Sequence, residues 1–335
     1  MRTIKSYTIL LLLAAMAFIS CGPDSNHVRI QGHLLNLNQG EFLVYSPDGT
    51  SPRIDTITVN GGRFDYEGPC HAAGTMAIVM PNGTEIAVFA KPGKSFSVEG
   101  DATHLRQVKV KGSDENKLMN EFRDKTAQIN ESALGKSVEE FVTSNPLSHV
   151  SLYLIRRYLL HPQKPDYKKA EQLLRLMVGK DTGNAAAQML LSAVSEMKVA
   201  TASSAMPTFT ATDIYGKSVS NTQFLTDIAV VMSFATFDYE SLSQIRRVYD
   251  AGEGSQKRPK ILAVSLDASK KQCKDMLRSD STHFTTICEE KMADGNVAHK
   301  FAFMQPGQTI IYRNGRVIAS NLTGDKLTDK LKTLR

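Results

Sequence analysis

The stretch Ala229–Ser241 (AVVMSFATFDYES) restricts the folds open to this 335-residue chain more than any other. Ile228 to Ser233 is an apolar run with the length and β-branched content of a strand buried on both faces, as in a parallel sheet. An aromatic-rich turn follows, Phe234-Ala235-Thr236-Phe237, and a helical pattern then carries Leu242, Ile245, Val248 and Tyr249 on one stripe. Asp238 stands where a helix N-cap belongs, because a carboxylate accepts from the free N–H groups and complements the helix dipole. Glu240 is two residues on and does not share a helix face with Asp238, so the two carboxylates do not form an acid/base pair.

This strand, turn and helix resemble the segment VVVNFWATWCPPC of the thioredoxin-like thiol-disulfide oxidoreductases of the cell envelope, in the TlpA/ResA style. Phe234 matches the first Trp, Ala235-Thr236 match Ala-Thr, and Phe237 matches the second Trp. Asp238 and Ser241 fall where the resemblance places the two cysteines. A CxxC motif works because its first thiol, ionised at a helix N-terminus, attacks a disulfide and its second resolves the mixed disulfide. Asp238 performs neither step, and Ser241 is a poor nucleophile without a base. The resemblance therefore implies a thioredoxin-like domain, with Asp238 and Ser241 as degenerate active-site positions and no catalytic residue.

The flanking sequence extends this reading. Met206-Pro207-Thr208-Phe209, Asp213 and Tyr215-Gly216-Lys217 resemble the entry of the same family. Further expected elements are a strand at Lys260–Leu266, a helix at Ser269–Leu277, a strand at Phe284–Cys288, a short helix at Asn296–Phe301, strands at Gln308–Tyr312 and Val317–Ala319, and a closing helix. Pro306 matches the family's cis-proline, against the alternative of a trans-Pro at a strand edge. In the redox-active relatives the residue before that proline offers its backbone N–H and C=O to an extended client. By that resemblance Gln305, faced by Phe237, Tyr239 and the Asp238 carboxylate, would form a groove for a polypeptide or a small ligand.

Upstream, Val28 to Gly112 reads as all-β. Short alternating runs (the first Val28–Leu34, the last Val108–Val110) are separated by Gly, Pro and Asn, and Asn60-Gly61-Gly62 has hairpin-turn chemistry. Ile54-Asp55-Thr56, Arg63-Phe64-Asp65, Ala90-Lys91-Pro92-Gly93 and Gly112-Ser113 resemble the DUF4369 family, which implies a fold and no activity. Residues 113–200 read as a helical connector and Ala200–Ala205 as a linker. The fold class is thus α+β and multidomain: an N-terminal all-β domain at 28–112, the connector, and a C-terminal thioredoxin-like α/β domain at 205–335.

Met1 to Ser20 has a basic start (Arg2, Lys5) and an apolar core, as a secretory signal does. Phe18-Ile19-Ser20-Cys21 resembles a bacterial lipobox, so Cys21 is the expected lipid-attachment site and 21–27 a tether. The resemblance, with no acidic residue directly after Cys21, implies an outer-membrane lipoprotein whose membrane partner is reached through its acyl chains. Net charge is +6, near +4 without Arg2 and Lys5, and the basic residues are scattered, so nucleic acid is not an expected partner.

Of four cysteines, Cys70, Cys273 and Cys288 remain once Cys21 is lipidated. Cys273 and Cys288 stand as a candidate disulfide or as core thiols. With His283 and His299 they show no metal-ligand spacing, and neither metal nor cofactor is expected. Three Gly-Lys-Ser triplets lack the first glycine of a P-loop. The expected function is a redox-inactive binding module. The alternative, from the enzyme class, is a thiol-disulfide oxidoreductase working through Cys273 or Cys288.

Overall fold

The computed structural model describes residues 23–51, 53–130, 133–162, 165–199, 204–251, 258–278 and 284–334. The expected signal segment, the expected lipid site Cys21 and His283 lie outside them. The described residues divide into two compact units: those up to 78 with 86–120, and 79–85 with those from 121 onward.

The first unit is built on an eight-stranded sheet in the order β6-β5-β2-β3-β4-β1-β7-β8. Its strands are β1 (His27–Leu35), β2 (Gln39–Tyr45), β3 (Asp55–Asn60), β4 (Arg63–Pro69), β5 (Gly74–Val79), β6 (Glu85–Ala90), β7 (Ser95–Asp101) and β8 (Lys109–Lys111). Alternation sets their register. In β4 the buried Phe64 and Tyr66 alternate with exposed Arg63, Asp65 and Glu67. Between β3 and β4, Asn60 pairs with Arg63 across Gly61 (φ 55°) and Gly62 (φ 71°). A Cβ on Gly62 would lie 2.3 Å from the Leu34 carbonyl oxygen, so only glycine makes this turn.

The first helix, α1 (Asp114–Thr126), serves both edges of that sheet. Asn116, fully buried, accepts from the Phe89 N–H (2.9 Å) and donates to the Phe89 carbonyl (3.1 Å) on edge strand β6. One turn on, Asn120 does the same to Val110 on β8, the other edge, at 3.1 and 2.8 Å. Two side-chain amides thus occupy backbone groups that an open sheet edge would leave free for another chain.

In the second unit come α2 (Gly135–Ser144), α3 (His149–Ile155, continued by a π turn over Arg156–Leu160), α4 (Tyr167–Lys180) and α5 (Ala185–Val199). Ser148 caps α3 through the Val150 N–H (3.1 Å), and Asp166 caps α4 through the Lys169 N–H (2.9 Å). A two-stranded hairpin of β9 (Thr210–Thr212) and β10 (Ser218–Ser220) follows.

The last part is a five-stranded sheet, order β13-β12-β11-β14-β15. Strands β11 (Ala229–Phe234), β12 (Lys260–Ser265) and β13 (Thr285–Cys288) run parallel, while β14 (Thr309–Arg313) and β15 (Arg316–Ser320) are antiparallel. Helices α6 (Tyr239–Ala251), α7 (Lys270–Arg278), α8 (Asn296–Lys300) and α9 (Gly324–Thr333) complete it. β11 is buried along its whole length and separates two core clusters. Val231, Leu262, Ile287 and Ile310 lie in one; Val230, Met232, Ala263 and Ile311 lie in the other. That two-sided burial is why the strand reads as a continuous apolar run. The strand order and directions are the thioredoxin-like arrangement expected from the sequence.

Candidate functional site

The C-terminal end of β11 delivers the chain into the turn that the sequence singled out. Asp238 closes it: its N–H donates to the Ala235 carbonyl (3.0 Å), and its carboxylate accepts from the Ser241 N–H (2.8 Å) at the start of α6. The N-cap assignment therefore holds. Ser241, only 2% exposed, points inward; its hydroxyl donates to the Asp238 carbonyl (2.9 Å) and accepts from the Ala235 N–H (3.4 Å). The two positions thus tie the turn to the first turn of the helix.

Behind the turn sits Asp267, which follows β12 and which the sequence reading did not single out. It is 3% exposed. One carboxylate oxygen accepts from both the N–H and the hydroxyl of Thr236 (2.8 Å each), the other from the Ser265 hydroxyl (2.6 Å). Burial pushes this carboxyl above its usual range, against the pull of those donors. The available signal was an acidic residue closing an apolar strand beside the turn, where α/β sheets place their functional loops.

The second loop departs from the sequence reading. Among the described residues there is no cis peptide, so the bond before Pro306 is trans. Gln305 does not hold its backbone free either. Its N–H donates to the Gln308 side-chain oxygen (3.1 Å), and its carbonyl accepts from the Ser233 hydroxyl (2.7 Å). The same Gln308 oxygen accepts from the Met304 N–H (2.6 Å), and Gln244 donates to the Gly307 carbonyl (3.1 Å). The Gln308 amide and the buried Ser233 hydroxyl satisfy the groups that the resemblance assigned to a client, and no strand can be added there through Gln305.

The aromatic pair behaves differently. Phe237 is half-buried, and Gly83 (φ 77°) lies against its ring; a Cβ there would approach Phe237 Cε2 to 2.6 Å. Tyr239 is 75% exposed. Pro306 and Gln305 are half-buried.

Cys273 on α7 and Cys288 at the end of β13 are fully buried free thiols, so the candidate disulfide between them is not formed, and the Cys288 thiol donates to the Asp267 carbonyl (3.8 Å). The contact between the two thiols raises Cys273 and lowers Cys288, and burial pushes both up. Cys70 is also buried and free; its thiol donates to the Ala72 carbonyl (3.4 Å), and burial pushes it up to about 11. Among the described residues no group of three or more His, Cys, Asp or Glu side chains is placed to hold a metal ion. His299 instead lies 3.6 Å from Asp294, which also meets Arg156 at 3.4 Å.

Comparison with known proteins follows the same two-part division. Residues 28–119 match DUF4369, a domain of unknown function. No curated protein matches the chain. Among solved structures, a thiol-disulfide oxidoreductase from Bacteroides fragilis is similar at 18% identity and a TM-score of 0.36, over 39% of this chain and 100% of that one. The thioredoxin domain of a thiol-disulfide oxidoreductase from Bacteroides vulgatus matches at 21% identity and TM-score 0.34, over 40% and 96%. A thioredoxin-like protein from Bacteroides caccae spans more of the chain, 60% against 78% of its own length, at 13% identity and TM-score 0.41. The similar structures are thioredoxin-like thiol-disulfide oxidoreductases. No helix among the described residues is long and apolar enough to cross a membrane.

Proposed function

We propose that this protein is a bacterial envelope lipoprotein, anchored in the outer membrane through Cys21, whose thioredoxin-like domain binds a polypeptide or small ligand without redox chemistry. The observation that carries the reading is where the reactive groups have gone. Asp238 and Ser241 are spent on capping α6, and the three described cysteines are at most 1% exposed. A thiolate must reach its target to attack it. Tyr239 stays open beside the turn, and an exposed ring is a common anchor for recognition. Because Gln305 is bonded internally, the contact runs through Tyr239 and the accessible edge of Phe237, not through added backbone pairing.

One observation favours the redox reading: two free thiols, Cys273 and Cys288, lie beside each other in this domain. Insulin reduction by the reduced protein separates the two. It should be silent, and thiol-dependent turnover lost in Cys288→Ser would replace the binding reading with the oxidoreductase one. Binding is tested by crosslinking the intact lipoprotein in its own membranes. Tyr239→Glu should abolish capture while leaving thermal stability unchanged, and equal capture by the variant would refute the groove. Lipidation is tested by fatty-acid labelling, which should disappear in Cys21→Ala.

A further inference from the structure

The opposite end of the same sheet carries a cavity of about 540 Å³ that the turn chemistry does not use. It opens where β12 and β13 begin, at Lys260 and Thr285, and where α6 and α7 end, near Tyr249 and Leu277. Asp238 and Pro306 lie beyond the other ends of the strands. The floor is apolar, made by Ile214, Phe224, Val248 and Ile261, and Tyr215 and Tyr249 stand on its walls. The volume is that of an ordinary small-molecule site.

The rim is cationic. Lys217, Arg258 and Lys260 face one carboxylate, Asp213. One oxygen of that carboxylate is already held in its own turn by the N–H groups of Tyr215 and Lys217, both at 2.8 Å. Lys260 donates to the Gln223 carbonyl (2.9 Å), while Arg258 lies 6.0 Å from the Tyr249 ring centre. The C-terminal ends of α6 and α7 draw cations to this end even without a ligand. They do not account for Thr286. It lines the cavity, is 2% exposed, and its hydroxyl has no hydrogen-bond partner among the described residues. Buried hydroxyls are nearly always paired. The cavity therefore combines a flat apolar bed, a cationic rim and one unsatisfied polar atom, which is the polarity pattern of an amphipathic anion.

We propose that this cavity binds a small organic anion with a flat apolar body, its carboxylate, sulfonate or phosphate held by Lys217 and Arg258 and its body lying beside Tyr249. A hydrogen-bonding atom of the ligand meets Thr286. This goes beyond the groove at Tyr239 and stands independently of it.

The probe is 8-anilinonaphthalene-1-sulfonate, titrated by fluorescence into the chain from residue 23 onward, which carries both units. The expected result is saturable one-to-one binding, weakened at least tenfold by Lys217→Glu with Arg258→Glu and several-fold by Thr286→Val. The uncharged analogue N-phenyl-1-naphthylamine should bind at least tenfold more weakly and ignore the charge reversal. Tyr239→Ala, at the other end of the sheet, should leave binding unchanged. The altered rim residues are exposed, and an unchanged thermal midpoint in each variant shows that folding is intact. Non-saturable binding, or binding indifferent to both the charge reversal and Thr286→Val, overturns the proposal.

Discussion

Ser233→Ala tests the account of the Pro306 loop most directly. Ser233 is fully buried in β11 directly before Phe234, and its hydroxyl ties that strand to the 305–308 loop. It donates to the Gln305 carbonyl at 2.7 Å and accepts from the Gln308 N–H at 3.0 Å. Removing it leaves the Gln308 N–H unpaired at a residue only 7% exposed. An orphaned buried donor costs about 1–3 kcal/mol. The Gln305 carbonyl belongs to a half-exposed residue and recovers water, so its loss is nearer the net worth of a hydrogen bond, about 1 kcal/mol. The substitution should therefore destabilise the thioredoxin-like domain by about 2–4 kcal/mol. The chain has no tryptophan, so urea unfolding is best followed by far-ultraviolet circular dichroism, with hydrogen exchange of the 303–310 peptide as the local readout. Faster exchange in that peptide should accompany the lost stability. A change below about 0.5 kcal/mol, with exchange at 303–310 unaltered, would refute the claim that Ser233 holds the loop closed.

Further outcomes follow from the same geometry. Asp238→Ala should cost about 1 kcal/mol, the usual worth of an N-cap, and an unchanged urea midpoint would show that the cap is idle. Asp267 has a raised folded-state value, so its contribution is present below its ordinary 3.8 and is lost as pH rises through the raised value. The stability difference between wild type and Asp267→Asn should accordingly shift against the wild type over that window, and a pH-independent difference would contradict the assignment. Maleimide should label none of Cys70, Cys273 and Cys288 in the native protein and all three in denaturant, since each is buried. Gly83→Ala should lower the thermal midpoint, because it places a Cβ at φ 77° and 2.6 Å from Phe237; Phe237→Ala should restore part of the loss.

What the sequence disclosed and what it withheld divide along a physical line. The β-strands of the first unit are legible because a half-buried strand must alternate: Phe64 and Tyr66 turn inward while Arg63, Asp65 and Glu67 turn out, and any other register would expose the core. β11 is legible for the opposite reason, since burial on both faces removes the alternation. The short β9–β10 hairpin was missed because Thr210–Thr212 and Ser218–Ser220 carry almost no apolar signal. Asn116 and Asn120 were missed because an amide clasping a strand edge looks in sequence like any polar residue on a helix surface.

The same limit explains the Pro306 loop. The motif Met304-Gln305-Pro306 is local, and it correctly marks the loop that lies beside β11. What decides how Gln305 is used is not local: Ser233 is 72 positions away, and Gln308 acts through its side chain. The resemblance expects thiols facing a residue whose N–H and C=O await a client. In this chain the groups on both sides are hydrogen-bonded internally. Ser241, where the resemblance expects the second cysteine, spends its hydroxyl on the Ala235–Asp238 turn, and Gln305, where it expects client binding, spends its backbone on Ser233 and Gln308. Placing cysteines at 238 and 241 alone would supply a nucleophile without the surface that presents a client to it, and would remove the cap on α6 as well. Asp238→Cys with Ser241→Cys should therefore give a chain that forms a disulfide under oxidants yet reduces insulin poorly, and efficient insulin reduction by that variant would show that the Gln305 contacts open readily.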